Sequence, residues 1–233
     1  MILLYYQDAY LKEFKAEVKE VNNGKYVVLD NTAFYPIGGG QTFDTGKLIS
    51  NKREYNVVYV GKFDGKISHE VYNEGLKLGD KVKGILNWDR RYKLMRMHTA
   101  THIVSTLIHN ETGALITGNQ LEPDKARIDF SLEDFDKEKM KGYIEESNEI
   151  IKRNLSVNSY FVTKEEAEKI PGLVKLTMKL PERENIRIVE IGDFDRQADG
   201  GTHVKNTSEI GKVVFLMADN KGKSNRRIYF TLN

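Results

Sequence analysis

Along the first third of the chain, apolar residues come in short runs, KYVVLD, EYNVVYVG and KISHEVY, separated by the turn clusters NNGK, SNKR, KFDGK and NEGLKLGD. Runs rich in Val, Ile and Tyr and bounded by Gly, Asn and Asp predict strands, because branched and aromatic side chains suit a pleated surface. Their spacing predicts a small antiparallel barrel or sandwich that ends near Asn87. The pattern changes at Trp88-Asp89-Arg90-Arg91. From Arg91 to Asn110 no Gly or Pro intervenes, and Met97, Ala100, Thr101, Val104, Leu107 and Ile108 recur at helical spacing. This predicts a helix with one buried face, stopped near Gly113.

A strand is predicted at ARIDFSL. A helix follows from Asp136 to Arg153, with Met140, Tyr143, Ile144, Ile150 and Ile151 as its core stripe. Then come the strand-like LSVNSYFV, a short charged helix KEEAEKI, the strand NIRIVEI, and a hairpin of KVVFLMAD and RRIYFTL around NKGKS. A few helices among many strands give an α+β class. The expected organisation is a small antiparallel β-barrel domain carrying a Gly-rich loop over 1–87, followed by an α+β domain over 88–233.

Composition narrows the function only a little. The 233 residues suffice for one large or two modest domains, and 39% hydrophobic with 30% charged residues is ordinary for a globular protein. A formal charge of +2 neither demands nor excludes a nucleic-acid partner. With no cysteine, disulfides and thiolate metal sites are impossible. The opening MILLYYQDAYLK is too short an apolar run for a signal segment or a membrane span, and no longer run follows. A cytoplasmic protein is expected.

The candidate chemistry begins with His98-Thr99-Ala100-Thr101-His102. Four residues advance a helix by about 6 Å and a little over one turn, so both imidazoles project from one face, beside the apolar stripe, and can share a metal ion. An isolated H-x-x-x-H also describes two surface histidines hydrogen-bonded locally. Thr99 stands where a zinc metalloprotease needs Glu, which disfavours that mechanism. His109 lies roughly 10 Å further along the helix, too far to complete the site, and His69 falls in a barrel strand. His203 remains, in QADGGTHV, where glycines before Thr-His suggest a tight turn presenting one side chain. Three histidines are a reasonable zinc composition.

The second unusual segment is FYPIGGGQTFDTG, Phe34 to Gly46. No Gly-Lys-Ser/Thr follows, and no strand-to-helix link surrounds it, so it is neither a P-loop nor a dinucleotide fingerprint. It reads either as a β-turn after Pro36 or as a loop whose glycine backbone, at Gly38, Gly39 and Gly40, approaches a ligand closely. Gln41 would add an amide that both donates and accepts.

Taken together, FYPIGGGQTFDTG, HTATH and GGTHVKNTSEIG resemble, in order and spacing, the alanyl-tRNA editing domain and its free-standing AlaX proteins. GNQLEPDKARIDF, from Gly118, is similar to the segment after that family's metal helix. The resemblance covers nearly the whole chain. It implies a β-barrel part, a metal-bearing editing domain, and hydrolysis of the ester in tRNA(Ala) mischarged with serine or glycine. It implies one zinc ion on His98, His102 and His203, with Asp199 where the family places a Cys. Asp199 keeps the charge of a thiolate and can ligate directly, orient His203 or a metal-bound water, or mark a site that has lost zinc. Direct or water-mediated ligation is the expectation. Gln41 and Thr202 are implied as the catalytic contacts, with the Gly38–Gly40 backbone binding substrate. Arg90, Arg91, Arg96, Lys223 and Arg226 are candidate tRNA contacts, although each cluster also suits a solvated surface. Neither a membrane nor DNA is expected as a partner. A start at Met1, with no room for an aminoacylation domain before the barrel, predicts a free-standing protein. The alternative is a non-catalytic tRNA- or protein-binding module of the same fold without metal.

Overall fold

The strand that opens the barrel is Glu13–Asn22 (β1), EFKAEVKEVN, in which Phe14, Ala16 and Val18 are buried between exposed or half-buried charges. This alternation is the mark of a strand with one face on a core. In the computed structural model, which describes residues 1–134, 136–173, 175, 177, 180 and 182–233, β1 joins five further strands. They are Tyr26–Leu29 (β2), Gly46–Ser50 (β3), Arg53–Phe63 (β4), Lys66–Val71 (β5) and Lys81–Leu86 (β6). Antiparallel pairing in the order β1-β2-β5-β4-β3-β6 closes the barrel, which leaves no free sheet edge. Val18, Val27, Leu29, Phe34, Leu48 and Val60 lie in its core.

The run KVKGIL hides its strand behind a glycine. Gly84 faces Phe14 in register, and a Cβ there would overlap the Phe14 ring, so the glycine makes room for the largest side chain of β1.

The long helix Trp88–Thr112 (α1) follows. The chain divides into two compact units, 1–93 and 94–233, so the division falls inside α1 rather than at its start, as the pattern change had suggested. The reason is Arg91. Its fully buried guanidinium is ion-paired to Asp44, with Nε donating to both carboxylate oxygens at 3.1 and 3.0 Å. Its Nη1 and Nη2 donate to the carbonyls of Ala9 and Ala33 at 2.8 and 2.5 Å. The first turn of α1 therefore belongs to the barrel unit.

In the second unit α1 departs from the one-faced helix that the pattern predicts. Every residue from Met97 to Ile108 is buried. Two of its buried hydroxyls bond within the helix: Thr99 to the Met95 carbonyl and Thr101 to that of Met97, each at 2.9 Å. Ile116–Leu121 (β7) and Ala126–Phe130 (β8) come next, then Lys137–Lys152 (α2). Val157–Thr163 (β9), Asn185–Ile191 (β10) and Asp195–Ala198 (β11) form a three-stranded antiparallel sheet. Val213–Asn220 (β12) and Arg226–Leu232 (β13) complete a four-stranded sheet ordered β12-β13-β8-β7. The architecture is thus an α+β fold with an N-terminal antiparallel barrel. Helix α2 packs on β12, clamped by Asn148, whose amide exchanges two hydrogen bonds with the backbone of Val213 at 2.8 and 2.9 Å. Ile150, expected in the α2 stripe, is only half-buried, and Ser147 takes an inward position, its hydroxyl on the Ile144 carbonyl. Among the described residues no helix is long and apolar enough to cross a membrane.

Candidate metal centre

Helix α1 and the loop after β11 supply the site, all within the second unit. His98 and His102, one turn apart, face His203, with ring centroids separated by 4.5 to 5.3 Å. Asp199 stands among them. Its Oδ1 is 3.4 Å from His98 Nε2 and 3.8 Å from His102 Nε2, and its Oδ2 is 3.0 Å from His203 Nε2. The four side chains each offer one donor atom, and these atoms lie within 4.8 Å of one another. A tetrahedral zinc with bonds of about 2.0–2.2 Å needs donors roughly 3.3–3.6 Å apart, and the Asp199–histidine separations of 3.0, 3.4 and 3.8 Å bracket that spacing, so the four residues could hold such an ion.

Tautomers reinforce the fit. The Thr99 hydroxyl donates to the Met95 carbonyl, so it accepts from Nδ1–H of His203 at 3.2 Å. This leaves the Nε2 lone pair of His203 facing a carboxylate oxygen, an arrangement that calls for a proton or a cation between them. His102 donates from Nδ1 to Asp195 Oδ2 at 2.9 Å, again freeing Nε2 for the site. Thr99, which breaks the metalloprotease pattern, thus has a task of its own.

The electrostatics follow from the packing. Burial would depress His102, but its hydrogen bond to Asp195 and the attraction of the Asp195 and Asp199 carboxylates outweigh it and raise its pKa to about 9. Burial, and then repulsion from His98, holds His203 well below the usual range. Burial would raise Asp199, yet the three surrounding imidazoles keep its carboxyl well below the ordinary carboxylate value.

The loop holding Asp199 and His203 is not the glycine turn that the sequence suggests. Gln197 and Ala198 still belong to β11, and neither Gly200 nor Gly201 adopts positive φ. The bend is made by side chains: Asp199 Oδ2 accepts from the Gly201 N–H at 2.5 Å. Arg187, on β10, donates from Nη1 to the carbonyls of Asp199 and Gly201, each at 3.0 Å. Thr202 is fully buried in this loop.

The Gly-rich segment, in the barrel unit, is a two-residue β-turn. Gly38 and Gln41 exchange backbone hydrogen bonds at 3.0 and 3.1 Å, and Gly39 and Gly40 have φ of 59° and 83°. This is the geometry of a type I′ turn, which needs positive φ at both central positions. The Gly38 and Gln41 N–H groups are used by the turn itself, and the Gln41 side chain is buried.

Two of the five candidate tRNA contacts are drawn inward. Arg91 is the buried partner of Asp44, and Arg226 is 4% exposed with its guanidinium on carbonyls of the hairpin turn, so neither presents a free cation to a phosphate. Arg90 and Arg96 are half-buried. Arg90 Nε donates to the Phe43 carbonyl and Arg96 Nε to that of Ile210, each at 2.9 Å. Lys223 is exposed.

Sequence reasoning missed the groups behind the ligands: Asp195, Gln197, Thr106, Lys175 and Arg187, all buried. Asp195 and Gln197 sit two apart on a strand with exposed Arg196 between them, which places two polar groups on a core face. That alternation was the available signal.

Comparison with known proteins first places the chain among relatives of tRNA synthetases. Residues 186–229 match the family described as "Threonyl and Alanyl tRNA synthetase second additional domain", and residues 5–90 match "tRNA synthetases class II (A)". The chain belongs to the AlaX-type alanyl-tRNA editing proteins. It is 54% identical to the alanyl-tRNA editing protein AlaX-M of Methanosarcina mazei, over 98% of this chain and 95% of that one. It is 47% identical to the AlaX-M of Saccharolobus solfataricus, over 98% of each. It is also 39% identical to the alanine–tRNA ligase of Thermofilum pendens, where the match covers 92% of this chain but 24% of the ligase.

Proposed function

We propose that this alanyl-tRNA editing protein is a metal-dependent deacylase that hydrolyses the ester of Ser-tRNA(Ala), with Gly-tRNA(Ala) as a second substrate. The observation that carries the reading is the convergence of His98, His102, Asp199 and His203, with two of the three histidines held as Nε2 donors. When bound, a zinc ion supplies Lewis acidity beside the scissile ester.

The chain's own groups do the rest. Thr99 and Asp195 orient His203 and His102, and Arg187 with the Gly201 N–H holds the loop that carries Asp199. Thr202, in the loop of the metal centre, is proposed to contact the aminoacyl group; for Gln41 and the Gly38–Gly40 turn, in the barrel unit, a substrate role is proposed on the family resemblance alone. Hydrogen-bonding groups that pair with the serine hydroxyl are left unpaired by alanine, which rejects correctly charged tRNA. For the RNA, Lys223, which is exposed, is proposed to meet a backbone phosphate. Phosphate contacts make such binding strongly salt-dependent.

The test is metal analysis and deacylation of Ser-, Gly- and Ala-tRNA(Ala) by the wild type, Asp199→Ala and Asp199→Cys. We expect bound metal and turnover of the first two substrates by the wild type. Asp199→Ala should lose both, and Asp199→Cys should keep the metal. An Asp199→Ala variant with full metal and activity would remove Asp199 from the ligand set. A wild type with neither metal nor turnover would leave a non-catalytic binding module.

A further inference from the structure

Behind His102 lies a buried polar cluster that no ligand role accounts for. Asp195, 4% exposed, accepts from His102 Nδ1 at 2.9 Å, from the Thr106 hydroxyl at 2.8 Å and from Gln197 Nε2 at 3.0 Å. Lys175 closes the group. Its ammonium, also buried, is ion-paired to Asp195 and donates to Thr106 Oγ1 at 2.9 Å. Four donors from three parts of the chain therefore converge on one carboxylate: helix α1, strand β11, and the segment before β10.

A buried carboxylate is costly unless it is charge-paired and its lone pairs are satisfied. Here both conditions are met, so Asp195 is held ionised and in one rotamer. An acceptor-only group fixed at that place obliges His102 to keep its proton on Nδ1 and to turn Nε2 toward Asp199.

We propose that Asp195 is a positioning residue for the metal centre, and that Lys175, Thr106 and Gln197 are its scaffold. The cluster fixes His102 in one ring orientation and so sets the metal affinity, acting through His102 without touching substrate. This rests on the metal reading of the site, but part of its test does not.

The experiment compares wild type, Asp195→Asn, Lys175→Met and Asp195→Asn/Lys175→Met. Zinc affinity is measured by chelator competition, and the His102 Nδ1 proton is followed by NMR in the metal-free protein. The control is Asp129→Asn, which breaks another largely buried pair, with Arg227, outside this cluster. We expect Asp195→Asn to weaken zinc binding roughly 10- to 100-fold. It should also abolish a low-field, exchange-protected Nδ1 proton. Lys175→Met should weaken binding less, and the double variant should recover part of the loss, because it leaves no unpaired ammonium. Asp129→Asn should leave the affinity unchanged. Wild-type affinity in Asp195→Asn, or an equal loss in Asp129→Asn, would overturn the proposal. If the wild type takes up no metal, yet its Nδ1 proton is present and vanishes in Asp195→Asn, the positioning stands and the metal reading falls.

Discussion

At position 199 a carboxylate stands where the family resemblance places a thiolate, and the difference is open to measurement because this chain contains no cysteine. Oxygen is a harder donor than sulfur, so the site should hold zinc less tightly than a thiolate site and leave the metal more Lewis acidic. Loaded with cobalt(II), the wild type should show ligand-field bands and no sulfur-to-metal charge-transfer band. Asp199→Cys should gain that band and bind zinc more tightly. If the variant carries cobalt without the new band, position 199 does not ligate. His98 and His102 were legible from helical spacing and His203 as the remaining distal histidine, whereas Asp199 entered only through the family resemblance. Thr99, Asp195 and Lys175 were not legible. Each acts through a partner far away in sequence, such as His203, 104 residues from Thr99, and no local pattern records such a pairing.

Elements were legible where one face is apolar and the other polar. Helix α2 is the clear case, with Met140, Tyr143, Ile144 and Ile151 buried and charged residues outward. The apolar spacing places Asp136 at the start of the helix, where it is the N-cap, its Oδ1 accepting from the N–H groups of Glu138 and Lys139 at 2.9 and 3.2 Å. Removing it leaves two backbone donors of the first turn without that acceptor, so Asp136→Ala should cost about 1 kcal/mol in urea unfolding, and Asp136→Ser much less. Equal losses in both variants would mean the carboxylate acts by charge rather than as a cap. Helix α1 was legible in its position but not in its environment, because Thr99, Ser105 and Thr106 look like a polar face yet are buried. Strands β1 and β6 lack the dense Val, Ile and Tyr runs of the predicted strands: β1 interleaves Phe14, Ala16 and Val18 with charges, and β6 contains the glycine that receives Phe14.

For the molecule as a whole, buried histidines make stability a function of pH, and His69 gives the cleanest sign. In the barrel its Nδ1–H donates to the Val27 carbonyl at 2.9 Å. Its Nε2, 2.8 Å from the Thr32 hydroxyl, accepts from that group, which in turn accepts from the Phe34 N–H at 3.1 Å. The ring is fully buried, and burial pushes its pKa down to about 4. The unfolded chain takes up this proton near pH 6.5, the folded chain only near 4, so in between the unfolded state holds more protons. The contribution is therefore complete above about pH 6.5 and is lost as the pH falls through 4, up to about 3 kcal/mol in all. In metal-free protein His102, raised to about 9, has the opposite sign: its contribution is complete below about 6.5 and fades as the pH rises through 9. His203, Asp195 and Asp199 are all depressed and add to the acid side, so a single stability curve mixes the units. A difference isolates His69. His69→Asn keeps a donor for Val27 and cannot titrate, so urea unfolding from pH 4 to 6.5 should show a shallower slope for the variant than for the wild type. Parallel curves would mean that His69 does not remain neutral in the folded barrel.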